Sequence, residues 1–344
     1  MSKGKVYVGL SGGVDSSVSA LLLKKDGYDV TGVFIKVWHP DFLLCDWKKE
    51  MRDAMRVCAK LDIPFKKLDL SDEYKKEVID NMISEYREGR TPNPDVMCNK
   101  YVKFGGFFKW AMKEGADFVA TGHYAQTKDG KLLESKDTEK DQTYFLWTLS
   151  KEQLSKTIFP IGHLVKDKVR KIAEKNNLFT SEKKDSQGLC FIGHVDMKDF
   201  LKRYIDTKDG EVLNTKGEKV GTHKGAILYT TGERHGFTVT KKGSNDGAYY
   251  VTSKNIENNT ITVSPHNEKI EITTQTLIPL QNISFTGDKY EGEVDARIRY
   301  RQPLEKAILK EQSIEFNNPQ IGISAGQSVV FYKNGECLGG GIIA

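Results

Sequence analysis

Cysteine is scarce in this 344-residue chain: five residues, at positions 45, 58, 98, 190 and 337. Their number is odd, their spacing is wide, and no two form a Cys-x-x-Cys pair. That argues against a structural zinc site and against a disulfide scaffold. A reducing, cytoplasmic compartment is expected, and any cysteine with a task is then reactive rather than structural. Long apolar runs are also missing. None approaches the ~18 residues of a membrane helix, and the first strand-like stretch starts too early to leave room for a signal or transit peptide. No membrane association is expected. Internal repeats and low-complexity tracts are absent. A strong charge is absent too. The net +5, from 52 Lys and Arg against 47 Asp and Glu, neither requires nor excludes nucleic acid. The length exceeds one ordinary core, so two or three domains are expected.

What is present starts at the N-terminus. Val6, Val8 and Leu10 make a short strand, and Ser11-Gly12-Gly13 turns it into a helix starting near Asp15 or Ser16. A glycine pair lets a ligand approach the backbone closely. The helix's free N–H groups and positive dipole end favour an anion such as phosphate. The P-loop of common nucleotidases needs Lys-Ser/Thr after its last glycine, whereas Val14-Asp15 follows Gly13 here. This is a different phosphate cradle, with Asp15 placed to position Mg²⁺. A plain glycine-rich turn is the bland alternative; it does not account for all six positions of Ser-Gly-Gly-x-Asp-Ser between a strand and a helix.

Further strands are expected at 29–37, 65–70 and 117–121, with helices near 46–61, 72–88, 100–114 and 166–176. Pro92 and Pro94 keep the start of 89–99 out of a helix. Strands alternating with helices imply a parallel sheet with right-handed crossovers, which binds ligands at the carboxyl ends of its strands. The cradle and Gly122-His123 should therefore share one crevice. Residues 125–195 read as helical and polar, with a capping box at Ser150-x-x-Gln153. The lysines of the 166–176 helix read as a solvated face. From about 208, short segments such as Ala226-Ile-Leu-Tyr-Thr and Ala248-Tyr-Tyr-Val-Thr indicate a β-rich remainder with a junction in 260–275. The expected domains are 1–200, 201–268 and 269–344.

Two cysteines have suggestive surroundings. Cys98 follows the stiff Pro92–Asp95 stretch and precedes a helix expected near Asn99, a position that lowers thiol pKa. Cys190 lies in a loop or short strand between Gly188 and Gly193. Burial as a small hydrophobe is the alternative for both, and it is the reading for Cys45, Cys58 and Cys337. In Arg297-Ile-Arg299-Tyr-Arg301, strand alternation would put three guanidiniums on one face, suited to phosphates. A solvated face beside Asp295 and Glu305 is the alternative.

The opening loop resembles the pyrophosphate loop (PP-loop) of the ATP pyrophosphatase superfamily. Five further stretches follow in order: Thr-Pro-Asn-Pro-Asp-x-x-Cys-Asn (91–99), Thr-Gly-His-Tyr (121–124), Lys-Asp-Gln-x-Tyr-Phe-Leu (140–146), Lys-Asp-Ser-x-Gly-x-Cys-Phe-Ile-Gly (184–193) and Arg-Tyr-Arg-Gln (299–302). With Cys-Leu-Gly-Gly-Gly-Ile-Ile (337–343) they resemble the tRNA-specific 2-thiouridylase family over the whole chain. The resemblance implies an α/β protein: an N-terminal parallel-sheet PP-loop domain, a small central β-rich module and a C-terminal β-barrel-like domain. It implies ATP with Mg²⁺ bound by Gly9, Leu10, Ser11, Gly12, Gly13, Val14, Asp15 and Ser16, with Ile35 and Gly122 lining the nucleotide site. Cys190 would carry a persulfide, Cys98 would release its sulfur and leave a Cys98–Cys190 disulfide, and Asp95 would handle protons. Asn93, Pro94 and Asp95 would meet the target base, a wobble uridine. His123, Lys140, Asp141, Gln142, Arg299, Tyr300 and Gln327 would contact tRNA. The implied partners are tRNA and a persulfide donor protein, either a cysteine desulfurase or a sulfur carrier. Two departures stand out: Ile35 replaces a usual Met, and Gly232-Glu-Arg-His-Gly-Phe-Thr-Val replaces the family's glycine-rich central stretch. Two other readings remain open from the residues alone. One is a PP-loop synthetase that adenylates a small molecule for amination; the other is a non-catalytic tRNA-binding or redox-sensing protein.

Overall fold

The computed structural model describes residues 2–42, 47–184, 196–240, 246–265 and 275–344. Cys45, Cys190 and most of the 184–193 stretch lie outside the described residues. Strands β1 (Lys5–Gly9), β2 (Asp29–Lys36), β3 (Phe65–Asp69) and β4 (Phe118–Ala120) are parallel. After a hairpin of β5 (Gln126–Lys128) and β6 (Lys131–Leu133), β7 (Thr157–Ile158) completes the sheet order β3-β2-β1-β4-β7. The described part of 125–195 is thus not simply helical: it holds three short strands, although the capping box at Ser150 and Gln153 is formed.

Strand alternation sorts the core into two layers. Val6, Val8 and Phe34 face helices α1 (Val14–Lys25) and α2 (Trp47–Leu61), while Tyr7, Val33 and Ile35 face α3 (71–87) and α4 (94–113). Helix α4 starts earlier than expected. Pro94 occupies its first position, where no N–H is needed, and the Asn93 side chain accepts from Val96 N–H at 3.3 Å. Helices α5 (Lys151–Ser155) and α6 (Lys166–Lys175) follow, with α6 packed on α1. Among the described residues no helix is long and apolar enough to cross a membrane.

Past α7 (Met197–Leu201), the central module is a five-stranded sheet made of β8 (Gly210–Leu213), β9 (Lys219–His223), β10 (Phe237–Val239), β11 (Tyr249–Asn255) and β12 (Thr260–Pro265). Ala226–Leu228 is a tight helical turn there rather than a strand. The C-terminal strands are β13 (Gln275–Phe285), β14 (Gly292–Arg297), β15 (Glu305–Lys310), β16 (Ser313–Gln320), β17 (Ser328–Lys333) and β18 (Glu336–Ile343). They form a closed six-stranded barrel, since β13 pairs with both β16 and β18. Strand β6 extends this barrel: Leu132 pairs with Cys337 and Leu133 with Glu336. The first and last modules therefore share a sheet.

Segment 140–149 fills the seam beside that shared sheet. Tyr144 donates to Ser328 O at 2.9 Å, Trp147 to Ser328 Oγ at 3.2 Å, and Thr143 and Tyr332 hydroxyls meet at 3.2 Å. Arg297, only 6% exposed, reaches from the barrel to Glu134 and Asp141, each at 3.3 Å. The expected arginine face does not form. Strand β14 ends at Arg297, Arg301 takes φ +63°, and Arg299 turns to the carbonyls of Thr231 and Gly322. A buried carboxylate partner outcompetes solvent for the first guanidinium, and the turn separates the other two.

At the end of β4, His123 is buried between the rings of Phe104 and Phe159. Its ring nitrogens meet Thr121 Oγ1 at 2.7 Å and Lys103 Nζ at 3.1 Å. Burial, helped by the Lys103 charge, holds its pKa well below the usual imidazole value.

Two predictions follow from these buried groups. Arg297→Met leaves the Asp141 carboxylate unpaired in the interior and should cost about 3 kcal/mol in urea unfolding. Adding Asp141→Asn should recover part of that loss; no recovery would remove the pair from this account. Because His123 stays neutral when folded, its contribution is complete above the unfolded value near 6.5 and is lost as pH falls below it. The loss approaches about 1.4 kcal/mol per pH unit, and unfolding curves of His123→Gln between pH 7 and 5 should show a shallower decline.

Candidate active site

The loop after β1 is shaped by its own hydroxyls. Ser11 N–H donates to Ser16 Oγ at 3.3 Å, Gly13 N–H to Ser11 Oγ at 3.3 Å, and Ser17 Oγ–H to Gly13 O at 2.7 Å. Gly12 sits at φ +72°, and a Cβ there would lie 2.8 Å from Glu50 O on α2. Among the described residues no side chain caps the N-terminus of α1. Its first-turn N–H groups are thus left for a ligand. Gly122 closes the other side: a Cβ would lie 2.7 Å from Ser16 N, so only glycine lets the end of β4 come this near. Ile35 is buried in β2 beside Gly9. These features fit a polyphosphate.

The cations absent from the loop come from distant sequence. Lys166, at the start of α6, places Nζ 2.9 and 2.8 Å from the two Asp15 carboxylate oxygens, and Tyr124 OH donates to Asp15 Oδ1 at 2.9 Å. Lys183 Nζ donates to Gly12 O at 3.0 Å and to Asp53 Oδ2 at 2.9 Å. Lys166 is 9% exposed, not part of a solvated face. A signal existed in the sequence. Lysine in the first turn of a helix opposes the helix dipole, so something outside the helix must favour it. Among the described residues no group of three acidic, His or Cys side chains forms a metal cage. A Mg²⁺ ion would share Asp15 with phosphate oxygens.

Segment 91–99 is clamped by the other two modules. Thr91 N–H donates to Ala325 O at 2.7 Å, Gln327 Nε2 to Thr91 O at 3.1 Å, and the Thr91 and Thr230 hydroxyls meet at 3.2 Å. Asn93 spends its side-chain oxygen capping α4, while Pro94 and Asp95 are half-buried in its first turn. Cys98 falls one turn inside the helix, not at its N-terminus, and is fully buried against the sheet. Helix α4 reaches the end of β4 through Lys103 and His123. Burial pushes the Cys58 thiol up to about 11 and raises Cys337 as well, consistent with packing roles for both.

The residues expected at tRNA divide by location. Asp141 is 3% exposed and accepts from Ser135 N–H at 2.9 Å and Thr143 OH at 2.6 Å; burial raises its pKa despite these bonds. Gln142 exchanges hydrogen bonds with the Tyr124 main chain, at 2.9 and 2.8 Å, and so orients the tyrosine that touches Asp15. Asp141, Gln142 and the buried His123 support the site from behind in this structure. Lys140 is half-buried, Arg299 is exposed, and Tyr300 packs against Phe145 with ring centroids 4.6 Å apart and planes tilted by 50°.

Comparison with known proteins gives the context. Residues 4–194 match the family described as tRNA methyl transferase HUP domain, 198–265 the tRNA methyl transferase PRC-barrel domain, and 275–343 the aminomethyltransferase beta-barrel domain. The tRNA-specific 2-thiouridylase MnmA of Streptococcus thermophilus is 45% identical, covering 99% of this chain and 95% of its own. Its counterpart from Francisella philomiragia is 44% identical over the full length of both chains. Among solved structures, the U34-tRNA thiolase NcsA from Methanococcus maripaludis with its [4Fe-4S] cluster has a TM-score of 0.38 and 20% identity. That likeness spans 55% of this chain and 61% of that one. With full-length relatives of this identity, the chain belongs to the tRNA-specific 2-thiouridylase (MnmA) family.

Proposed function

We propose that this enzyme thiolates tRNA by adenylating the C2 oxygen of the wobble uridine and then replacing that oxygen with sulfur carried on Cys190. The observation that supports this best is the Ser11–Ser17 cradle, bracketed by Lys166 and Lys183 and backed by Gly122. ATP, with Mg²⁺, supplies the adenylyl group. The α1 N–H groups and loop hydroxyls hold the phosphates, and the two lysines offset the charge of departing pyrophosphate. Asp15, held by Lys166 and Tyr124, would be the carboxylate that holds the Mg²⁺. Asn93, Pro94 and Asp95 hold the base, with Asp95 taking or giving the proton.

Sulfur release balances as thiol–disulfide exchange. The Cys98 thiolate attacks Sγ of the Cys190 persulfide; the S–S bond breaks and hydrosulfide leaves. Two thiol electrons reduce the sulfane sulfur, leaving a Cys98–Cys190 disulfide that an external thiol must reset. Hydrosulfide adds at C2 and AMP departs. Since Cys98 is fully buried here, its turn of α4 must become accessible during the cycle.

Nucleoside mass spectrometry of unmodified tRNA incubated with enzyme, ATP and a persulfide source tests the whole reading: 2-thiouridine should appear only with all components. Asp15→Ala and Lys166→Met should each lower tRNA-dependent AMP formation at least a hundredfold while tRNA affinity changes less than twofold. An active Asp15→Ala enzyme would end that assignment.

The cysteines separate in a second assay. After exposure to a persulfide donor, Cys98→Ser should keep an adduct of about 32 Da, one sulfur atom, on Cys190. Cys190→Ser should carry no transferable sulfur. A transferable adduct on Cys98 would reverse the roles.

A further inference from the structure

Where the three modules meet, a cavity of about 380 Å³ is lined by Thr91 of the catalytic domain, Thr231 and Lys254 of the central module, and Ser324 of the barrel. Two of its groups are unsatisfied. Ser324 is 9% exposed, and among the described residues its hydroxyl has no hydrogen-bond partner. Lys254 Nζ donates to Tyr229 O at 2.8 Å, but among the described residues no carboxylate lies within ion-pair distance of it. The acids nearby are already engaged: Glu88 with Arg90 at 2.6 Å and Glu233 with Lys198 at 2.5 Å. Burial lowers the Lys254 ammonium to about 8 against the opposing pull of the Glu233 charge. A second cation borders the same wall, since Arg299 donates to the carbonyl of Thr231 at 3.1 Å.

A buried hydroxyl without a partner and a half-buried ammonium without an acid are costly together. A single group with negative charge and several acceptor oxygens would satisfy both. We propose that this cavity is a phosphate site, held by Lys254 and Ser324, and that its occupant is a backbone phosphate of the tRNA substrate. The choice of tRNA rests on the function proposed above and on position. Thr91, on the cavity wall, opens the segment that carries Asp95 and Cys98, and its main chain is bonded to Ala325 next to Ser324. A phosphate seated here would fix the RNA against the catalytic segment and bind the three modules to one another.

The test measures tRNA binding by full-length protein across a salt series, alongside thermal shifts with inorganic phosphate. Lys254→Met should weaken tRNA binding about tenfold near physiological salt and reduce the log–log salt slope by about one unit, the value of one phosphate contact. Ser324→Ala should weaken binding less and leave the slope unchanged. Lys254→Arg should restore most of the affinity, separating lost charge from lost folding, and ATP affinity should stay constant throughout. A phosphate-induced rise in melting temperature that Lys254→Met removes, with tRNA binding intact, would support the site but assign it to a free anion. Unchanged tRNA affinity, slope and phosphate response in Lys254→Met would overturn the proposal. Failure of the unaltered protein to bind tRNA would instead count against the function, and the phosphate arm would still decide the site.

Discussion

The Arg297 guanidinium lies where the barrel meets the catalytic domain, and the carboxylate of Asp141 is buried against it. Neither charge is tolerable in that interior without the other. The pair fixes segment 140–149, and the neighbouring Gln142 then grips the main chain of Tyr124, whose hydroxyl meets Asp15 in the phosphate loop. A continuous set of polar contacts thus runs from a barrel strand to the first turn of α1. The barrel is part of what orients the nucleotide site, not an appendage to it.

The phosphate loop illustrates a second constraint. Its sequence offers backbone donors, hydroxyls and one carboxylate but no cation, and a polyphosphate needs positive charge. The chain supplies it from far along the sequence, on the same face of the sheet: Lys166 begins α6, which packs on α1, and Lys183 follows that helix. The two ammonium groups are held by Asp15, Asp53 and a loop carbonyl. Those same contacts place them where the phosphates would come.

Much of this was legible in the sequence. The apolar run of Val6, Val8 and Leu10, the Gly12-Gly13 turn and the Ser150–Gln153 box are local signals, and local geometry follows from them. What could not be read depends on partners far along the chain. Nothing near Lys166 announces Asp15, and nothing near Arg297 announces Asp141. Likewise β5 and β6 are too short and polar to stand as strands until β18 supplies their pairing partner. Cys98 lies inside a helix rather than ahead of one because Pro94 is a first-turn residue, where its missing N–H costs nothing.

The pairing of β6 with β18 also sets an order of events during synthesis. Strand β6 leaves the ribosome early, whereas its partner is among the final residues of the chain. Until those residues emerge, the hairpin presents an open strand edge and the barrel lacks the strand that closes it. The N-terminal domain can collapse around its parallel sheet beforehand, but segment 140–149 has no surface to settle on. A chain cut before β18 would therefore leave β6, β13 and β17 each with an unprotected edge, prone to associate with its neighbours.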